Sequence, residues 1–161
     1  LLLKSTDAPH VGRKIKTAIN MASASIYYCD QDEDDQWLFT DLIKSISLNL
    51  SCRPYRDGKH AFHDIMRHTP DIIFSEVEIT PYSGLEFLKL LKSTKAIQHI
   101  PVIFYSSLIT KDQAREYLRA GASEVIHKLI CFKESVKQFT RVLTSHCPGM
   151  HGLFSTIEHR P

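Results

Sequence analysis

The sequence predicts a doubly wound α/β domain, a five-stranded parallel sheet in the order 2-1-3-4-5 with helices on both faces. Two observations carry that prediction. Short apolar runs alternate with stretches of helical periodicity five times along the chain, and such alternation builds βαβ units. The run Ile72-Ile73-Phe74 is also continuously apolar and is closed by the turn residues Thr80, Pro81, Ser83 and Gly84. Runs of this kind mark strands buried on both faces, as in parallel sheets. Right-handed crossovers then make the doubly wound order the natural solution.

Each element has its own signal. Ser25–Cys29 is the first strand, followed by the run Asp30-Gln31-Asp32-Glu33-Asp34-Asp35. The next helix reaches about Leu48, with Leu38, Leu42 and Ile46 inward, and its positive N-terminal end suits the acidic residues. Residues 50–55 form a weak second strand that Pro54 assigns to a sheet edge. Asp57-Gly58 is a turn. The second helix carries Phe62, Ile65 and Met66 inward and stops before Pro70. The central strand follows, ending at Glu76. Ser83 caps a helix with Leu85, Leu88 and Leu91 on its inner face. Pro101–Ser106 is the fourth strand. Thr110-Lys111-Asp112-Gln113 is a capping box; its helix turns Ala114, Tyr117 and Leu118 inward and closes at Gly121. Glu124–Lys128 is the fifth strand. The last helix, from about Lys133, buries Val136, Phe139 and Leu143.

Composition sets the outer bounds. A chain of 161 residues forms one domain with room for a sizeable core. Its net charge of +2 is too small to argue for nucleic acid. Cys29, Cys52, Cys131 and Cys147 form no CxxC pair, which suits a reducing cytosol. No run approaches the roughly 20 apolar residues of a membrane span. The chain is therefore expected to be cytoplasmic. It divides into an N-terminal extension (1–24), the α/β domain (25–144) and a tail (145–161) too short and too rich in breakers to be an output domain. Lys4, Arg13, Lys14 and Lys16 make the extension basic, and Val11, Ile15 and Ile19 recur every four residues. The extension is expected to be an appendage without chemistry of its own; an ordered one would need a surface to pack on, such as a second copy in a homodimer.

Ligands of a doubly wound sheet bind outside the carboxyl ends of its strands. There the topology gathers Asp30 and Gln31, Glu76, Ser106 and Lys128. Carboxylates, a hydroxyl and an ammonium together suit Mg²⁺-assisted phosphoryl chemistry.

Over residues 25–144 the chain resembles the receiver domains of two-component response regulators. PDIIFSEVEITPYSGLEFL is similar to the phosphoacceptor segment, PVIFYSS to the fourth-strand segment and GASEVIHKL to the fifth. The resemblance implies a flavodoxin-like receiver fold, with Glu76 at the phosphoacceptor position that is aspartate in the family. Asp30 and Gln31 stand at the acidic pair. Ser106 and Val125 take the switch positions of the hydroxyl and the aromatic ring, and Lys128 that of the phosphate-binding lysine. Leu129 replaces the proline that follows. A cis bond before a residue other than proline costs about 2.5–4 kcal/mol, so Lys128–Leu129 is expected to be trans or strained.

These departures imply a degenerate receiver that acts by protein–protein interaction, not catalysis. Its Mg²⁺ site, at Asp30, Glu76 and Glu78, is expected to be weak or absent because Gln31 lacks a carboxylate, leaving no strong cofactor. The expected partner surface is the face of the fourth helix, fifth strand and fifth helix. The alternatives are a working phosphoacceptor served by a histidine kinase in a phosphorelay, and a structural scaffold or oligomerisation module. No nucleic acid or membrane partner is expected.

Other sets are weaker. His60, His63 and His68, on or beside the second helix, lack an evident carboxylate to orient them, which favours a solvated face over a metal site. His146, Cys147 and His151 are split by Pro148-Gly149. Lys133, Lys137 and Arg141 recur along the last helix and, with Arg115 and Arg119, offer a basic face interrupted by Glu116 and Glu134. There is no GxSxG, P-loop or dinucleotide fingerprint, and the acidic first loop would repel a flavin phosphate.

Overall fold

A computed structural model of the chain describes residues 23–150. The strands are β1 (Ala24–Cys29), β2 (Leu50–Tyr55), β3 (Ile72–Ser75), β4 (Val102–Ser106) and β5 (Glu124–His127). The helices are α1 (Glu33–Ile46), α2 (Gly58–Ile65), α3 (Gly84–Ser93), α4 (Lys111–Arg119) and α5 (Phe132–His146), followed by a 3₁₀ turn at Pro148–Met150. The sheet is parallel throughout and runs β2-β1-β3-β4-β5, the predicted order. β2 lies at the edge that Pro54 assigns to it; Pro54 is opposite Tyr28 and exposed.

Strand parity splits the core in two. Side chains alternate across a strand, so Ile26 and Tyr28 join α1 and α5 on one face, with Phe39, Ile43, Phe74, Tyr105 and Phe139. Tyr27 and Cys29 join the opposite face, with Ile65, Ile73, Phe87, Leu88, Phe104 and Tyr117. β3 is buried at every position, as its continuous apolar run requires.

The caps explain where helices begin. Ser83 and Thr110 form capping boxes with Glu86 and Gln113. Asp32 caps α1 by accepting from the backbone of Asp34 and Asp35, and Asp57 caps α2. Gly84 is required by space: a Cβ there would lie 2.8 Å from the Val77 carbonyl oxygen and 3.0 Å from that of Glu76. The loop carrying Glu76 thus packs directly on the start of α3.

Three inner-face assignments are corrected. Leu38, Met66 and Leu118 are exposed. The helices are rotated so that Phe39 and Ile43 face the sheet from α1, Ala61 and Ile65 from α2, and Tyr117 from α4. A spacing of three or four residues defines a stripe but leaves its phase open to a neighbouring residue. Residues 1–22, with the extension's basic and apolar positions, and His151 in the tail lie outside the described residues.

Candidate functional site

The carboxyl ends of β1, β3, β4 and β5 converge on one cleft. Asp30 follows β1, Glu76 follows β3, Ser106 ends β4 and Lys128 follows β5. Parallel strands put these positions at the same edge of the sheet. A cleft of about 420 Å³ is lined there by Asp30, Gln31, Asp35, Glu76, Glu78 and Ser106, among others.

Lys128 is the centre of the arrangement. Its Nζ lies 2.8 Å from Asp30 Oδ2, 2.6 Å from Asp35 Oδ2 and 2.9 Å from Glu76 Oε2. The lysine side chain is 12% exposed and that of Asp30 only 5%, so solvent screens this contact poorly. The ammonium also stands 5.5 Å from the Tyr105 ring centroid, within the range of a cation–π contact. Burial by itself would lower the Lys128 pKa, but hydrogen bonds to Asp30, Asp35 and Glu76 outweigh it and hold the pKa above its ordinary value. The Glu76–Lys128 proximity inferred from the sequence is therefore present.

Other donors also reach the Asp30 and Glu76 carboxylates. Tyr28 donates its hydroxyl to Asp30 Oδ2 at 2.5 Å, and the Asp32 backbone N–H donates to Asp30 Oδ1 at 2.9 Å. Burial, then the adjacent Asp30 carboxylate, push the Tyr28 phenol far up, which keeps it a donor. The Val77 N–H donates to Glu76 Oε1 at 2.7 Å. Gln31 is exposed at the rim of the cleft and donates from Nε2 to the Glu78 carbonyl at 3.0 Å. The Glu78 side chain is exposed.

Ser106 ends β4 and Val125 lies in the neighbouring β5. Ser106 is 2% exposed and accepts from the Leu108 N–H at 3.3 Å, while its carbonyl accepts from the Lys128 N–H at 3.0 Å. Val125 is half-buried against the α2–α3–α4 side of the core. Lys128–Leu129 is trans; the cis peptide among the described residues is Thr80–Pro81.

Three members of the site escaped the sequence. In the sequence Asp35 is one of several acids at a helix start, and Tyr28 and Tyr105 are strand residues with no feature of their own. The available signal was surplus: five acidic residues in a run of six exceed what one cap uses. Elsewhere, the structure supplies the carboxylate that the second-helix histidines lacked, because Asp57 Oδ2 is 2.5 Å from His60 Nδ1. His60, His63 and His68 are nonetheless exposed. His146 lies 3.2 Å from Glu124 Oε2, and Arg141 pairs with the same carboxylate. Lys137 pairs with Glu134 and Arg115 with Asp112; Lys133 and Arg119 are exposed. Apolar side chains are displayed on another side, where Leu38, Leu129, Ile130 and Phe132 line a groove between α1 and the start of α5.

Known proteins agree with this architecture. The response regulator receiver domain model matches residues 26–140. The polar-differentiation response regulator DivK of Brucella ovis is 30% identical over 122 residues, covering 76% of this chain and 94% of DivK. A gliding motility regulatory protein of Myxococcus xanthus is 34% identical over 82 residues, 51% of this chain, but the match spans only 11% of that protein. Among solved structures, the chemotaxis response regulator CheY4 of Vibrio cholerae superposes with a TM-score of 0.67 at 18% identity, over 76% of this chain and all (100%) of CheY4. The phosphorylated cyanobacterial phytochrome response regulator RcpA gives 0.68 at 18% identity, over 78% and 94% of the two chains. With its sheet order and the family match in agreement, this chain belongs to the response regulator receiver domain family.

Proposed function

We propose that this receiver domain no longer transfers phosphate and works by protein–protein interaction, with the Glu76–Lys128 pair standing in for the charged state. The observation that carries the proposal is the closed ion cluster of Lys128 with Asp30, Asp35 and Glu76, at 2.6–2.9 Å. Glu76 is one methylene longer than aspartate, which moves its carboxylate into the space of the incoming phosphoryl. In-line attack needs reacting atoms about 3–3.5 Å apart and aligned. One Glu76 oxygen is held by Lys128 and the other by the Val77 N–H, so the nucleophile is restrained at both ends.

Acetyl phosphate with Mg²⁺, read by intact-protein mass, tests this. The unaltered chain is expected to stay unlabelled and the Glu76→Asp, Gln31→Asp double variant to gain one phosphoryl group. Labelling of the unaltered chain at Glu76 would establish the second reading, a working phosphoacceptor served by a histidine kinase. That reading draws on the retained Ser106 and Lys128.

The partner surface is proposed to be the α4–β5–α5 face. Its exposed Arg119, Lys133 and Lys137 favour an acidic partner, and Val125 supplies no aromatic ring to rotate behind Ser106. The face is therefore fixed. In Glu76→Gln, amide chemical shifts are expected to change only around the ion cluster; changes spreading across α4 and α5 would show a live switch.

A further inference from the structure

Receiver domains in general bind Mg²⁺ for phosphorylation, so the fit of this cleft to a divalent cation is tested on the oxygens of Asp30 and Glu76 and the Glu78 carbonyl. Both Asp30 oxygens already accept hydrogen bonds, Oδ2 from Tyr28 and Lys128 and Oδ1 from the Asp32 N–H. Both Glu76 oxygens are engaged, by Lys128 and the Val77 N–H. The Glu78 carbonyl accepts the Gln31 amide. Among the described residues, no group of three or more His, Cys, Asp or Glu side chains is disposed to hold a metal ion.

Mg²⁺ requires oxygen ligands at about 2.0–2.1 Å in near-ideal octahedral geometry and gives up water reluctantly. An oxygen that already accepts from N–H, O–H or ammonium donors must share or give up those contacts to do so, and Lys128 sets a positive charge where the ion would sit. The residues present do not fit the ion.

We infer that the Lys128 ammonium and the Gln31 amide are built-in replacements for a metal, occupying the cleft's cation-seeking oxygens and keeping divalent cations out. Asp35 is the residue that completes the exchange. It adds a third carboxylate to the ammonium from the first turn of α1 and so ties Lys128 to Asp30 and Glu76. A tethered ligand competes at an effective concentration set by its tether, in the millimolar range for short flexible links. The inference rests on the proposed function only in taking Asp30, Glu76 and Glu78 as the metal positions.

Electron paramagnetic resonance of Mn²⁺ provides the test, because the six-line signal of the aqueous ion is lost on binding. The full chain is compared with Gln31→Met, which removes the amide without adding charge, and with Gln31→Met, Lys128→Met. The unaltered chain is expected to leave the signal unchanged. The double variant is expected to bind one Mn²⁺ at least about tenfold more tightly, the scale on which neighbouring polar groups tune metal sites. Saturable binding of one Mn²⁺ by the unaltered chain would overturn the inference. So would a folded double variant that binds no better than the unaltered chain. If the double variant fails to fold, exposed Gln31 makes Gln31→Met the deciding variant, with tighter binding supporting the inference and unchanged binding overturning it. No phosphodonor is present, so the result is independent of the labelling experiment. A chain that binds Mn²⁺ yet resists acetyl phosphate would refute this inference alone, and a chain labelled without binding Mn²⁺ would refute only the proposed function.

Discussion

Replacing Lys128 with methionine is expected to destabilise the domain by about 3–5 kcal/mol near neutral pH, the usual cost of removing one partner from a buried ion pair. Methionine keeps an apolar stem over Tyr105 but leaves Asp30, Asp35 and Glu76 facing one another without a cation. Asp35 is 39% exposed, so water relieves part of the repulsion and the lower end of the range is expected. A domain of this size holds only about 5–15 kcal/mol in all. Urea unfolding would show a lower midpoint with an unchanged slope. In the unaltered chain the pH dependence lies at the alkaline end. The folded Lys128 pKa is raised, so its stabilisation is complete below the ordinary lysine value of about 10.4 and is lost as pH rises through the higher folded value. A loss under about 1 kcal/mol for Lys128→Met, the worth of an exposed pair, would mean that the cluster is solvated in solution.

Phe139→Ala is expected to cost about 3–5 kcal/mol, the range for truncating a fully buried phenylalanine. Phe139 is inaccessible to solvent. Its ring stacks on Phe74 at 5.1 Å between centroids and meets Phe39 and Tyr105 edge-on at 5.2 and 5.0 Å. Those neighbours belong to β3, α1 and β4, so one ring joins three of the elements that deliver the cleft. Phe132, on the same helix but 54% exposed, is the control, and Phe132→Ala is expected to change stability by less than about 0.5 kcal/mol. Equal losses at the two positions would contradict the packing described. The cavity also lies beneath Tyr105, which supports the Lys128 ammonium, so Phe139→Ala should increase amide exchange around Glu76 and Lys128 as well as lower global stability.

The relation of these two residues to the sequence differs. Phe139 was legible in advance as an inward position of a periodic helix. Lys128 was legible as a strand-end cation, but its number of partners was not.

Local rules determined the architecture. Periodicity, caps and turn residues fixed five strands and five helices, and crossover handedness reduced their arrangement to one order. They also placed Asp30, Glu76, Ser106 and Lys128 at one sheet edge, because strand ends in a parallel sheet share a side. The tertiary structure alone decided helix phase and side-chain pairing. Leu38 lost its expected inner position to Phe39 because the stripe is wide enough to tolerate a rotation by one residue, and packing against Tyr28 and Phe139 selects the phase. Asp35 could not be separated in sequence from its acidic neighbours, since all of them satisfy the helix N-terminus equally. It is distinguished by Lys128, 93 residues away along the chain and 2.6 Å away in space. Local sequence reports energies shared among near neighbours; the ion cluster arises only when the packed sheet brings distant charges into a site that excludes water.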